Sequence, residues 1–161
     1  MICSNANSIR EYLDGGRAAI LDVMDRGKIT AADVLFLRRN IFIDDIVTQE
    51  EASALFVLDR LVADKAPEWT PLFVEAITAH VVWQMRPTGI VNEAKAEWLI
   101  EKVDRARTLN ALAALVNVMA EAHRVPIWFR AAARARVSRD WPGAEEALAA
   151  ADAEANAALA A

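Results

Sequence analysis

The sequence predicts an all-α fold, a compact single-domain bundle of about seven to eight short helices, and three observations carry that prediction. Only five Gly and five Pro interrupt 161 residues rich in Ala, Leu, Glu and Arg, so helix is favoured nearly everywhere. No window sustains the period-two alternation of a half-buried strand, and no convincing strand is expected. Capping residues recur just ahead of apolar runs at helical spacing, which marks where the helices start.

Taken in order, a first helix is expected over Ser8 to Met24, with Gly15-Gly16 as a weak point and an end near Gly27. Thr30 with Asp33 forms a variant capping box ahead of Val34, Leu35, Leu37 and Ile41, and Thr48 with Glu51 forms a regular one. The second box opens a helix to about Ala63. Trp69-Thr70-Pro71 predicts the next start, with Thr70 as N-cap, Pro71 at N1 and Trp69 stapled onto Val74. From Pro71 to Met85 apolar residues lie on nearly every side, as a central buried helix requires. Asn92 caps a helix holding Trp98, Leu99 and Val103, another runs from Leu109 to Ala122, and Pro126 opens a helix with Ile127, Trp128 and Phe129. The last, Gly143 to Ala160, is Ala-rich and acidic. The organisation read from this is a bundle over residues 1–141 and a C-terminal helix over 142–161, docked or frayed, for which a homodimer contact is the bolder reading.

The net charge of −5 gives no reason to expect nucleic acid as a partner, since phosphate binding requires a basic surface. Its distribution is uneven. Residues 124–139 hold five Arg and no acid, while residues 140–161 hold five acids and no base. The plain expectation for Arg124, Arg130, Arg134, Arg136 and Arg139 is a solvated face or pairing with the acidic body and tail. Contact of Arg130 and Arg134 with an anionic surface is the sharper alternative, with the membrane met only peripherally. Cys3 is the single cysteine and suits a reducing compartment. The N-terminal residues have neither the basic nor the apolar region of a secretory signal, so a cytoplasmic location is expected.

GKITAADVLFL and DDIVTQEEASAL repeat one pattern of small or acidic residue, aliphatic residue, Thr cap and acid. Calcium loops are the obvious comparison, because a hard cation needs six or seven oxygens from positions 1, 3, 5 and 12 of a twelve-residue loop. With Gly27 at position 6, Asp22 and Asp33 fall at positions 1 and 12, but Met24 and Arg26 fall at 3 and 5. In the second copy Phe42 removes a ligand. The repeat therefore describes degenerate, EF-hand-like turns whose Thr and acids serve as helix caps. A looser calcium or magnesium site built on Asp25, Asp44, Asp45 and Glu51, with Asp22 nearby, is the residual metal hypothesis.

A third copy occurs at TGIVNEAKAEWLIEKV, and the threefold alternation of helix, loop and cap resembles the tellurite-resistance TerB family and its TerB-like relatives over about residues 18–118. That resemblance implies a compact helical domain of bacterial cytoplasmic proteins tied to metal or chemical stress, with acids that bind metal and with protein partners near the membrane. Matching positions are Asp44, Glu51, Asp25 and Asp33. This chain departs from the pattern where Arg26 separates Asp25 from Gly27, where Asp45 replaces a Gly and where Thr88 replaces an acid.

Motifs for nucleophilic, phosphate or zinc chemistry are missing from the sequence. His80 shares a helix face with Phe73, Ile77 and Gln84, and Gln84 at i+4 is expected to hydrogen-bond it. A small enzyme using His80 would need an open cleft beside Phe73 and Gln84. His123 is expected to cap a helix C-terminus, Glu97 and Glu101 to be solvated, and Trp69, Trp83, Trp98 and Trp128 to be core. The preferred reading is a non-catalytic helical protein that works through a protein partner, with at most a weak divalent-cation site and no other cofactor.

Overall fold

The computed structural model describes residues 20–41 and 46–161. The expected start of the first helix, Cys3, Phe42, Asp44 and Asp45 lie outside the described residues. Helix α1 occupies 20–26 and stops at Gly27, whose φ of +66° suits a residue without Cβ. Its amide donates to the Val23 carbonyl at 3.0 Å. Thr30 and Asp33 close the predicted box in both directions: the Asp33 N–H donates to Thr30 Oγ1 at 3.2 Å, and the Thr30 N–H donates to Asp33 Oδ2 at 2.8 Å. Helix α2 follows over Ala31–Ile41. The Thr48–Glu51 box is likewise complete and opens α3, Gln49–Leu61.

The expectation of no strand needs correction. Strand β1, Lys28–Ile29, pairs in parallel with β2, Asp64–Lys65. Two-residue strands are too short to show a period, and their parallel sense follows from the two helices that connect them. This pairing fastens the turn before α2 to the turn after α3, with Ile29 fully buried beneath.

Helix α4, Trp69–Thr78, starts two residues earlier than the sequence suggests, with Glu68 and not Thr70 at its N-cap position. The cause lies elsewhere in the chain. The Trp69 indole N–H donates to the buried carboxylate of Asp59 at 2.8 Å, and the Thr70 hydroxyl donates to Asn110 Oδ1 at 2.7 Å. Trp69 is core, as expected, and as the first helical residue it does not stand at the N′ position of a staple. Pro71 becomes the third helical residue, where its missing N–H still has no intrahelical acceptor to lose. The helix continues as a π-helical turn over Ala79–Gln84, closed by the Met85 N–H on the His80 carbonyl at 3.0 Å. As expected this is the central element, with Leu72, Phe73, Ala76, Ile77, Val81 and Val82 fully buried.

Helix α5, Glu93–Ala106, is capped by Asn92 as predicted, and α6, Leu109–Glu121, by Thr108. Helix α6 packs along α4, and α7, Ile127–Arg136, lies on α6. Helix α8, Ala144–Ala160, follows Gly143, whose φ of +82° turns the chain against Leu109. Every residue of α8 from Leu148 onward is exposed. Among the described residues no helix is long and apolar enough to cross a membrane.

Candidate functional site

The residues singled out by sequence divide into those the fold consumes and those it leaves free. Arg26 belongs to the first group. Its Nε donates to Asp22 Oδ2 at 3.0 Å and its Nη2 to Asp33 Oδ1 at 2.8 Å. The guanidinium thus links the first and last ligand positions of the calcium-loop alignment, and a side-chain cation stands where a metal ion would. Hydrogen bonding to Arg26 holds the Asp33 carboxyl down at about 2. Asp25 is exposed, and the Glu51 carboxylate is occupied by the Thr48 amide. Among the described residues no three His, Cys, Asp or Glu side chains converge as a metal site would require.

His80 is 4% exposed and Phe73 is fully buried, so among the described residues neither side chain opens to a cleft. The expected His80–Gln84 contact is also corrected, because both side chains meet on Val47. Val47 donates its N–H to Gln84 Oε1 at 2.6 Å, and its carbonyl lies 2.7 Å from His80 Nδ1. A carbonyl only accepts, so Nδ1 carries the proton and the buried Nε2, which has no hydrogen-bond partner, is a bare lone pair. Burial lowers the pKa of His80, with a smaller contribution in the same sense from Lys95. The clamp fixes the chain just ahead of the α3 cap.

Two buried charged groups that sequence reading missed are also structural. Asp59 accepts from Trp69, from Asn110 Nδ2 at 2.7 Å and from the Thr108 hydroxyl, with Lys65 Nζ 3.6 Å away. Lys95, 1% exposed, donates to the carbonyls of Met85, Pro87 and Ile90 at 2.6 to 2.8 Å and so satisfies the loop between α4 and α5. Nothing local in the sequence marks either residue, since their partners come from separate elements.

The tryptophan and His123 expectations are revised in part. Trp83 and Trp128 are half-exposed, because their indole N–H groups reach Glu121 at 2.8 Å and Glu93 at 2.6 Å at the surface. His123 does not cap α6. Its N–H donates to the Gly89 carbonyl at 2.8 Å and its ring meets Trp83 edge-on.

Helix α7 carries exposed groups that take no part in these contacts. Trp128 to Glu93 at one end, and Arg136 to Asp104 through two bonds of 2.6 and 2.7 Å at the other, fasten α7 to α5. Phe129 and Ala133, four residues apart, turn inward and are buried. Arg130 and Arg134 follow them by one residue and so project along the other flank of the helix. There they border a groove of about 520 Å³ whose apolar lining includes Val116, Met119 and Ala120 of α6 and Val137 beyond α7. Val116 and Val137 are 46% and 57% exposed. Among the described residues no carboxylate pairs with Arg130 or Arg134, so of the expected solvated face or pairing Arg136 shows the pairing and these two, both exposed, the solvated face.

A second groove, of about 290 Å³, lies between α4 and α6, but its polar groups answer one another. Asn117 Nδ2 donates to Thr78 Oγ1 at 2.8 Å, Trp83 holds Glu121, and Arg38 holds Glu75 at 2.8 Å. Of these two grooves, the one between α6 and α7 combines exposed apolar surface with arginines that have no carboxylate partner among the described residues. Fold and groove together describe an all-α protein with an apolar surface trough. No protein-family model, curated protein or solved structure matches the chain.

Proposed function

We propose that this is a non-catalytic binding module whose α6–α7 groove receives an amphipathic helix of a protein partner, apolar on the face that enters and carboxylate-bearing at its rim. The observation that carries this reading is the pair Arg130 and Arg134, one turn apart on the rim of an apolar trough and without carboxylate partners among the described residues. A helix laid in a groove buries its apolar stripe for affinity, and charges at the edge fix its register and its encounter rate. The rest of the molecule favours the same choice. With five arginines in residues 124–139 and a net charge of −5 overall, an acidic partner is repelled elsewhere and attracted here. The TerB-like resemblance supports the same class of activity, since it implies work through protein contacts.

Fluorescence anisotropy with a labelled helical peptide of alternating Leu and Glu faces tests the reading. Binding is expected to weaken more than about tenfold in R130E/R134E and with rising salt, and to persist in Arg60→Glu on α3. Equal binding by all three proteins would exclude the groove. Preference for phosphatidylserine vesicles over the peptide would assign the arginines to a membrane surface instead.

A further inference from the structure

The second unanswered feature of the molecule is α8, and it matches the first. We propose that the occupant of the α6–α7 groove is α8 of a second copy of this chain, exchanged reciprocally in a twofold dimer. This rests on the reading of the groove as a helix-binding site.

Helix α8 spans 17 residues, of which Ala144 alone is buried. A single helix of that length is marginal in water even when rich in Ala, and helices in proteins persist chiefly through an apolar face that is packed. Leu148, Ala151, Ala155 and Leu159 recur at helical spacing along one stripe of α8, and the two leucines are 49% and 86% exposed. Small residues in that stripe suit close approach to a floor that includes Ala120 and Ala133. Glu145 and Asp152 border one edge of the stripe and Glu154 the other, and among the described residues none of them has an ion-pair partner.

Charge complementarity selects this occupant over an unspecified one. The segment that carries the groove's arginines, 124–139, has five positive charges and no negative one, and the segment that carries α8, 140–161, has five negative and no positive. Among the described residues no ion pair joins the two segments. The base of α8 is fixed at the opposite end of α6, where Gly143 abuts Leu109 and the Trp141 indole N–H donates to the Thr108 carbonyl at 2.7 Å. Beyond that base the helix is continuous and exposed, so its stripe is presented outward, to another molecule. A twofold axis then fills both grooves with one contact made twice.

The test uses the full chain throughout. Sedimentation equilibrium is expected to show a dimer that dissociates with salt, with its dissociation constant raised more than about tenfold by R130E/R134E and by L148E/L159E. The decisive arm is a mixture. R130E/R134E and E145K/D152K/E154K each place like charges across the contact and are expected to be monomers alone, whereas together each tail meets a groove of opposite charge and a heterodimer forms. Circular dichroism and melting curves confirm that each variant is folded before it is weighed. A wild-type chain that stays monomeric up to about 100 µM, or a dimer indifferent to R130E/R134E, or a mixture that does not associate, overturns the proposal. If the wild type is monomeric while R130E/R134E still abolishes binding of the Leu/Glu peptide, only the occupant is wrong. If peptide binding also fails to depend on the arginines, the groove reading falls with it.

Discussion

Arg26 lies between the two carboxylates that the first calcium-loop alignment would use. In a calcium loop the carboxylates at positions 1 and 12 converge on a cation; here they converge on a guanidinium tethered to the same loop. Asp33 titrates at about 2 in the fold against an ordinary value of 3.8. Its folded pKa is depressed, so its contribution to stability is complete above pH 3.8 and is lost as pH falls toward 2. After allowance for solvent screening that contribution is about 1 kcal/mol. Arg26→Met is expected to flatten the acid limb of the stability curve across this window, as urea unfolding at stepped pH would show; an unchanged limb would mean that Arg26 does not hold Asp33. His80 behaves in the opposite region. Its folded pKa lies below 6.5, so the unfolded chain takes up the proton first and stability declines as pH falls below 6.5. His80→Gln is expected to remove that decline, measured by melting temperature between pH 7 and 5. Arg26 was legible in the sequence as a misfit ligand, but its role as the replacement cation needed the geometry.

At the scale of elements, the local signals were reliable and the distant ones were not. Thr30, Thr48 and Asn92 cap α2, α3 and α5 as their spacing predicts, because a capping box is closed within four residues. The start of α4 was misread because Trp69 and Thr70 answer Asp59 and Asn110, which lie far off along the chain. The same distance hid the strands, whose pairing spans α2 and α3. Asp59→Ala, which leaves donors of Trp69, Thr108 and Asn110 without their acceptor, is expected to cost roughly 3 kcal/mol. Asp59→Asn, which keeps one acceptor, should cost less; equal costs in chemical denaturation would show that the cluster is not what sets the α4 start. The clamp on Val47 makes a parallel case. Gln84→Leu strands the Val47 amide and is expected to cost about 1 to 2 kcal/mol, with faster proteolysis or amide exchange concentrated at the entry to α3.

At the scale of the whole molecule, the proposed function rests on features that have no partners among the described residues. The bundle answers its buried charges internally, as Lys95 does with three carbonyls and Asp59 with three donors. Among the described residues the groove arginines and the acids of α8 have no ion-pair partner. Their charge blocks were visible in the sequence, and so was the acidic, Ala-rich character of the tail. The trough was not, because Val116 and Val137 read as ordinary apolar helix positions until α6 and α7 are set side by side. Amide hydrogen exchange along α8 tests the central claim most directly. In the wild-type chain, at concentrations where the dimer forms, the amides from Leu148 to Ala160 are expected to be protected, and in R130E/R134E they should exchange at the rate of a lone helix. Rapid exchange of α8 in both proteins, or equal protection in both, would contradict the assignment of α8 to the arginine-rimmed groove.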